Sequence, residues 1–222
     1  MNKEEYFIKQ FSSSKFIGDD GAVIGKYVYS MDAFFENVHF KTSWMSLKQI
    51  AAKSMLINIS DAIAMNAKPK YALLSVAIPP SFTKTDLKEL SKGFKKVAKQ
   101  FNCEIIGGDT ISNHKLDISV TIVSTISKGK KPALRTGTKK GDLVCYTGTL
   151  GTVKKDLDSL LNGENVSKDS KFVTPKLNPK FFYSVAPYIN SALDISDGLF
   201  FELERLSRSN SIGFEFFNDI DK

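Results

Sequence analysis

The stretch SLKQIAAKSMLINISDAIAM, residues 46–65, decides how the chain folds. Its apolar positions Leu47, Ile50, Ala51, Met55, Leu56, Ile59 and Ile63 fall on nearly every side of a 3.6-residue spiral. A helix apolar all round is a buried helix, in a core or at a subunit interface. Inside it stands Asp61. A carboxylate in that setting must be paired, neutralised or bound to a cation, and no Arg or His lies close by in sequence.

Working outward, helix and strand patterns alternate. Before the helix, Asn2 to Phe11 reads as a short helix and Ala22 to Met31 as a strand rich in β-branched and aromatic residues. After it, Tyr71 to Ile78 reads as a strand closed by Pro79 and Pro80. Thr83 to Phe101 reads as an amphipathic helix opened by a capping box of Thr83 and Asp86. Cys103 to Ile106 reads as a short strand ending at Gly107 and Gly108, and Leu116 to Ser127 as a long one.

Lys128 to Gly141 breaks the pattern with Gly129, Pro132, Gly137, Gly141 and six basic residues. We read it as a crossing between an N-terminal domain, residues 1–130, and a C-terminal domain, residues 131–222. The second unit reads as a strand at Leu143 to Thr147, a helix near Leu150 to Leu161 and a helix near Pro179 to Ile189. A strand at Ala192 to Ile195, a helix at Leu199 to Ser207 and a strand at Ile212 to Phe217 follow. The fold class expected is therefore α/β (α+β) in two domains. The C-terminal one looks incomplete, because its last strand has no later element to cover its apolar face.

Composition excludes several function classes. Hydrophobic content of 42% and charged content of 25% suit a globular protein. No apolar run approaches the ~20 residues that span a bilayer, and the N-terminal residues do not read as a signal peptide, so a cytoplasmic location and no membrane partner are expected. The net charge of +7 comes from scattered lysines; the three arginines are Arg135, Arg205 and Arg208. Base readout favours arginine, so no nucleic-acid partner is expected. Cys103 and Cys145 have no zinc spacing and read as buried free thiols.

The chemistry-bearing residues are aspartates at element ends. They occur in Gly18-Asp19-Asp20-Gly21, Ser30-Met31-Asp32, Ser60-Asp61, Gly107-Gly108-Asp109-Thr110 and Asp194-Ile195-Ser196-Asp197-Gly198. Together they form a set of hard oxygen ligands suited to magnesium shared with a nucleotide. Gly107 and Gly108 allow close backbone approach to a ligand, with N–H groups free to face phosphate oxygens. Ser196 opens a helix, where an N-cap and a phosphate site are both possible readings. Arg135 offers a fork suited to phosphate. The sequence has neither a G-x-x-x-x-G-K-[ST] loop nor an H-R-D triplet, and its two histidines are His39 and His114. A nucleotide would therefore be held through metal bridges and glycine backbone.

These segments carry a resemblance. Gly-Asp-Asp-Gly-Ala at 18–22, Ser-Met-Asp at 30–32 and Asn-Val-His-Phe at 37–40 occur in that order. They are followed by Asn-Ile-Ser-Asp-Ala-Ile-Ala-Met at 58–65, Gly-Gly-Asp-Thr at 107–110, Arg135 and Asp-Ile-Ser-Asp-Gly-Leu at 194–199. The series resembles the thiamine-monophosphate kinase family, of the superfamily that includes aminoimidazole ribonucleotide synthetase and selenophosphate synthetase. The resemblance implies an N-terminal domain that dimerises through its sheet and a C-terminal α/β domain. It implies transfer of the ATP γ-phosphoryl group to thiamine monophosphate with several Mg²⁺ ions.

By motif, the resemblance makes Asp20, Ser30, Met31 (through its backbone), Asp32, Asp61, Asp109, Asp194 and Asp197 magnesium ligands. Asp61, Asp109 and Asp197 would be central to catalysis. Gly107, Gly108, Arg135 and Ser196 would contact ATP, and His39 the thiamine substrate. Departures from the family pattern are Gly21, Met31, Asn37 and Asn66, and a Gly-Glu-Asp-Tyr-type motif and a late aromatic that do not occur within these residues. Rival expectations are another ATP-dependent synthetase of the superfamily and a nucleotide-binding remnant.

Overall fold

In the computed structural model, residues 3–11 and 13–216 are described. Asn2 of the expected first helix and Phe217 of the expected last strand lie outside them. The N-terminal half is a sheet covered on one face by two helices. In chain order the elements are α1 (Lys3–Lys9), β1 (Ala22–Ile24), β2 (Tyr27–Phe35), α2 (Leu47–Ala64), β3 (Ala67–Ile78), α3 (Lys84–Phe101), β4 (Glu104–Ser112) and β5 (Asp117–Ile126). The strands run β1-β2-β5-β3-β4 across the sheet. Only β3 and β4 pair in parallel, joined by α3 as a crossover helix.

α2 forms where its sequence predicts. Ser46 caps it in a full capping box with Gln49, a device worth about 1 kcal/mol. Its fully buried side chains Ile50, Met55 and Ile59 each contribute roughly 1.5–3 kcal/mol of transfer free energy. α3 crosses close by at Gly93, where an added Cβ would come 2.2 Å from the Lys48 carbonyl oxygen. Beneath them, Phe34, Ile118, Val120, Ile122, Ala72 and Val76 complete the core from the inner face of the sheet.

Strand boundaries differ from expectation at three places. Ala22 to Met31 is not one strand, because Gly25 at φ 60° starts a two-residue hairpin turn and β2 continues to Phe35. β3 begins four residues early, and Pro69 sits at a register shift where its missing N–H is tolerated. β4 does not stop at Gly107 but runs through Gly108 and Asp109 to Ser112. Gly108 is required there: at φ 146°, an added Cβ would fall 1.7 Å from the Leu74 carbonyl oxygen.

Beyond β5 the regular elements are helices: α4 (Thr152–Leu161), α5 (Pro179–Val185) with a 3₁₀ turn at Ala186–Tyr188, and α6 (Leu199–Asn210). The strands expected at Leu143 to Thr147, Ala192 to Ile195 and Ile212 onward form no ladder among the described residues. A strand exists only through its hydrogen-bonded neighbour, and these segments find none. Cys145, placed on one of them, is exposed, whereas Cys103 is buried as expected. The C-terminal segment is nonetheless welded to the first half. Leu160, Phe172 and Val173 join the main core, and the Tyr183 hydroxyl donates to the Ala67 carbonyl (2.8 Å). Among the described residues no helix is long and apolar enough to cross a membrane.

Candidate active site

The candidate site lies at the C-terminal half of α2, where the loop before β1, β2, and the segments around Arg135 and Asp194 converge. On β2 the even-numbered residues face the helices. β1 pairs with β2 only as far as Tyr29, so the later edge of β2 has N–H groups without a strand partner on that side. Asn58, wholly buried on α2, takes one of them: its Oδ1 accepts the Asp32 N–H (2.7 Å), while its Nδ2 donates to the Ser54 carbonyl (2.8 Å). The buried Ser30 hydroxyl reaches the Asn58 carbonyl from the same strand (3.4 Å). Asp32 is thus fixed against the helix turn that carries Asp61.

Asp194 is brought in from the far end of the chain. The Ser60 hydroxyl donates to its Oδ2 (2.8 Å), and its own N–H donates to Asp20 Oδ2 (3.2 Å). Arg135 closes the opposite side. Its Nε donates to Asp20 Oδ1 (2.8 Å) and its backbone N–H to Asp19 Oδ1 (2.7 Å). The Asp20 side chain is 1% exposed.

Four carboxylates facing one another in a partly dry cleft resist ionisation. Burial, then the charges of Asp194, Asp32 and Asp20, push Asp61 up to about 10, with Arg135 opposing. Burial and the charge of Asp20 push Asp194 up to about 6, with the Ser60 hydrogen bond opposing. Burial also raises Asp20 in spite of its ion pair with Arg135. Asp32 rises through desolvation and the nearby charges of Asp194 and Asp197, with His39 opposing. The Asp61 carboxylate has no hydrogen bond or ion pair among the described residues.

Of the expected site residues, the structure brings Asp20, Asp32, Asp61, Asp194 and Arg135 together, with His39 and Asp197 at the margin. His39 is exposed, and its Nδ1 accepts the Phe35 N–H (3.0 Å), so its Nε2 carries the ring proton outward. Ser30 turns toward α2, and Met31 points its side chain to the other face, 64% exposed. Gly107, Gly108 and Asp109 are not in the cluster. Asp109 is aligned with Ser75, Ser119 and Ala33 on the outer face of the sheet. Four strands in order, β2, β5, β3 and β4, put it about 14 Å from Asp32. Ser196 and Asp197 are held by residues that sequence reasoning passed over: the buried Glu202 accepts their backbone N–H groups. Asn58 and Ser60, quoted within the motif at 58–65, and Arg205, one of the three arginines, were given no role; for the first two the motif was the signal.

Among the described residues, no three carboxylate, imidazole or thiol groups gather into a ready metal cage. Magnesium does not require one, since it is commonly held by one or two carboxylates together with waters and phosphate oxygens. The donors are hard oxygens, and a divalent cation would cancel the repulsion that raises their pKa values. The residues fit magnesium held jointly with a polyphosphate.

Comparison with known proteins finds relatives of the chain in sequence and in fold. Residues 18–126 match the family described as AIR synthase related protein, N-terminal domain. The thiamine-monophosphate kinase of Bacillus subtilis is 34% identical over 214 residues, covering 90% of this chain and 66% of that protein. The enzyme of the same name from Aquifex aeolicus is 28% identical over 222 residues, covering 96% and 71%. A solved structure of AaThiL complexed with AMPPCP and TMP superposes with a TM-score of 0.85 at 28% identity, covering 93% of this chain and 69% of that one. The chain therefore spans about two thirds of the length of these relatives.

Proposed function

The chain belongs to the thiamine-monophosphate kinase family of AIR synthase-related proteins, and on that premise we propose that it transfers the γ-phosphoryl group of ATP to thiamine monophosphate, giving thiamine diphosphate and ADP. The observation that carries the reading is the convergence of Asp20, Asp32, Asp61 and Asp194, with Arg135, from segments far apart in sequence. The AMPPCP and TMP bound by AaThiL support the two substrate classes. A cytoplasmic location and a C-terminal domain beginning near residue 131 belong to the same proposal.

Asp20, Asp32, Asp61 and Asp194, with Asp197 at the rim, would hold magnesium ions, which supply charge neutralisation to the polyphosphate during transfer. The chain's own work is positioning. Asn58 and Ser60 orient Asp32 and Asp194. Arg135, whose Nε and Nη2 hold Asp20, has Nη1 left to offer a phosphate at the edge of the cluster. His39 offers an Nε2–H donor toward the acceptor substrate. No strong general base is needed, because the attacking phosphate oxygen is already ionised at neutral pH. Incubation with ATP, MgCl₂ and thiamine monophosphate tests the reading. Thiamine diphosphate and ADP in equal amounts are expected; nucleotide binding with no product would favour a binding remnant.

The same proposal includes a homodimer. The outer face of the sheet exposes Tyr29, Met31, Phe35, Tyr71, Leu73 and Ile111 in adjoining rows, with no element laid over them among the described residues. A second copy would cover this apolar surface. Asp109, Gly107 and Gly108 would then stand on the interface side and could serve the partner's nucleotide. Mixing inactive Asp61→Asn and Asp109→Asn subunits tests that: shared sites would restore roughly a quarter of wild-type activity from half-competent heterodimers. Sites contained within one chain would restore none.

A further inference from the structure

Glu202 is a carboxylate buried to 2% exposure on α6. Burying such a group costs several kcal/mol unless its oxygens are well used, and the use made of them is specific. Oε1 accepts the backbone N–H of Ser196 (3.3 Å) and of Asp197 (3.0 Å). Oε2 accepts from Arg205 Nη1 (2.9 Å), and the other arm of that guanidinium donates to the Asp197 carboxylate (2.8 Å). Gly198, at the N-cap of α6, has no side chain to close the helix start. Glu202, one turn inside the helix, instead holds the two residues that precede that N-cap.

These contacts reach beyond the helix. They grip the loop between Asp194, inside the acidic cluster, and Asp197, at its rim. They grip it twice over, by the peptide N–H groups and, through Arg205, by the Asp197 side chain. We propose that Glu202 is a positioning residue of the phosphoryl-transfer site: it holds the Asp194–Asp197 loop in the geometry that lets Asp194 face Asp32 and Asp61 and brings Asp197 toward Asp32. This rests on the kinase reading given above. One consequence concerns phosphate recognition. The N–H groups of Ser196 and Asp197 are already taken, so a phosphate meeting this loop would meet the Ser196 hydroxyl and not those two peptide donors.

The test compares wild type, Glu202→Gln, Glu202→Ala, Asp197→Asn and the Asp197→Asn, Glu202→Gln double variant. Three quantities are read: Mg·AMPPCP affinity by titration calorimetry, the KM and kcat for thiamine monophosphate, and amide exchange at Ser196 and Asp197 by NMR. Outer-shell partners of metal ligands are worth about 10–100-fold in affinity or activity. Glu202→Ala should lose about that much in Mg·AMPPCP affinity. Glu202→Gln keeps an acceptor for the two N–H groups and should recover part of the loss. Because Glu202 acts partly through Asp197, the double variant should bind less weakly than the product of the two single losses predicts. Both Glu202 variants should exchange the two amides faster. If Glu202→Ala fails to fold, Glu202→Gln decides the matter. A folded Glu202→Gln with wild-type affinity, kinetics and exchange would overturn the positioning role and leave the kinase reading intact. A wild type that binds no Mg·AMPPCP would instead sink the kinase reading itself.

Discussion

Two charged residues lie eight positions apart on α2, and both are buried: Lys53 is 9% exposed and Asp61 6%. Burial drives each toward its neutral form, lowering Lys53 to about 8 and raising Asp61 to about 10. Their surroundings differ. Lys53 lies over the ring faces of Phe172 (3.7 Å) and Phe34 (5.5 Å), with no carboxylate partner among the described residues. Asp61 faces Asp194, Asp32 and Asp20, which add like charge to the cost of burial. Aromatic faces quiet a buried cation with what the protein already contains. Gathered carboxylates increase each other's cost and are relieved only by something from outside. Isolation within the core marks a structural charge; crowding with its own kind marks a site awaiting a ligand.

The sharpest attempt to break this contrast is Asp61→Asn. At neutral pH and without divalent cations Asp61 is held protonated, so the amide is a close mimic of the resting state. Thermal stability without magnesium should therefore stay within about 0.5 kcal/mol of wild type. Binding is another matter. Loss of a ligand should exceed the about 10–100-fold that outer partners cost, so both Mg·AMPPCP affinity and turnover should fall by more than about 100-fold. Calorimetry in buffers of different ionisation enthalpy should also show wild type releasing protons as the metal–nucleotide binds. Retained affinity in the variant would remove Asp61 from the site.

Much of this was legible in the sequence, for identifiable reasons. The all-round apolar pattern of residues 46–65 forces burial whatever the partners are, and α2 follows it. Asn37 and Asn66 stand where the family resemblance favours Gly, and both adopt positive φ, 65° and 55°, as asparagine can. Aspartates beside glycines and strand ends pointed to one another, and four of them meet. Asp109 does not, because a side chain's face depends on strand register, and the register shift beside Ala72 and Leu73 carries no local signal. Gly107 and Gly108 look like a strand's end, yet both lie within β4, and Gly108 serves a close backbone approach there. Lys53 and Glu202 were invisible because helical periodicity tells which side is buried but not what is laid against it. The expected strands after residue 142 failed because propensity proposes a strand and only a partner makes one.

Asn58 stands between Lys53 and Asp61 and offers a smaller, structural test of the contrast. Its side chain receives the Asp32 N–H and donates to Ser54. Asn58→Ala leaves that part-buried N–H without an acceptor, a cost of about 1 kcal/mol, measurable by urea unfolding. Asp32 should also lose its fixed place, so Mg·AMPPCP affinity should drop while Lys53 is undisturbed. Unchanged affinity in a clearly destabilised variant would mean that the α2–β2 tie serves the fold alone.

The smallest expected effect belongs to Lys53→Met, which keeps volume and removes the charge. Lys53 is lowered from its ordinary 10.5 to about 8 by burial, so between those values the unfolded chain holds more protons than the folded one. The sign then follows: this residue makes stability rise as pH increases from about 8 to about 10.5, and below pH 8 its full penalty is present. The slope contributed cannot exceed about 1.4 kcal/mol per pH unit, and the ring faces of Phe172 and Phe34 reduce it by favouring the ammonium. Lys53→Met should therefore be slightly more stable than wild type at pH 7, by less than about 1.5 kcal/mol, and flatter across the alkaline window in a series of urea titrations. A variant less stable at pH 7 would show that the aromatic faces more than compensate burial. Lys53 would then be a net stabiliser of α2, and its difference from Asp61 wider than burial alone implies.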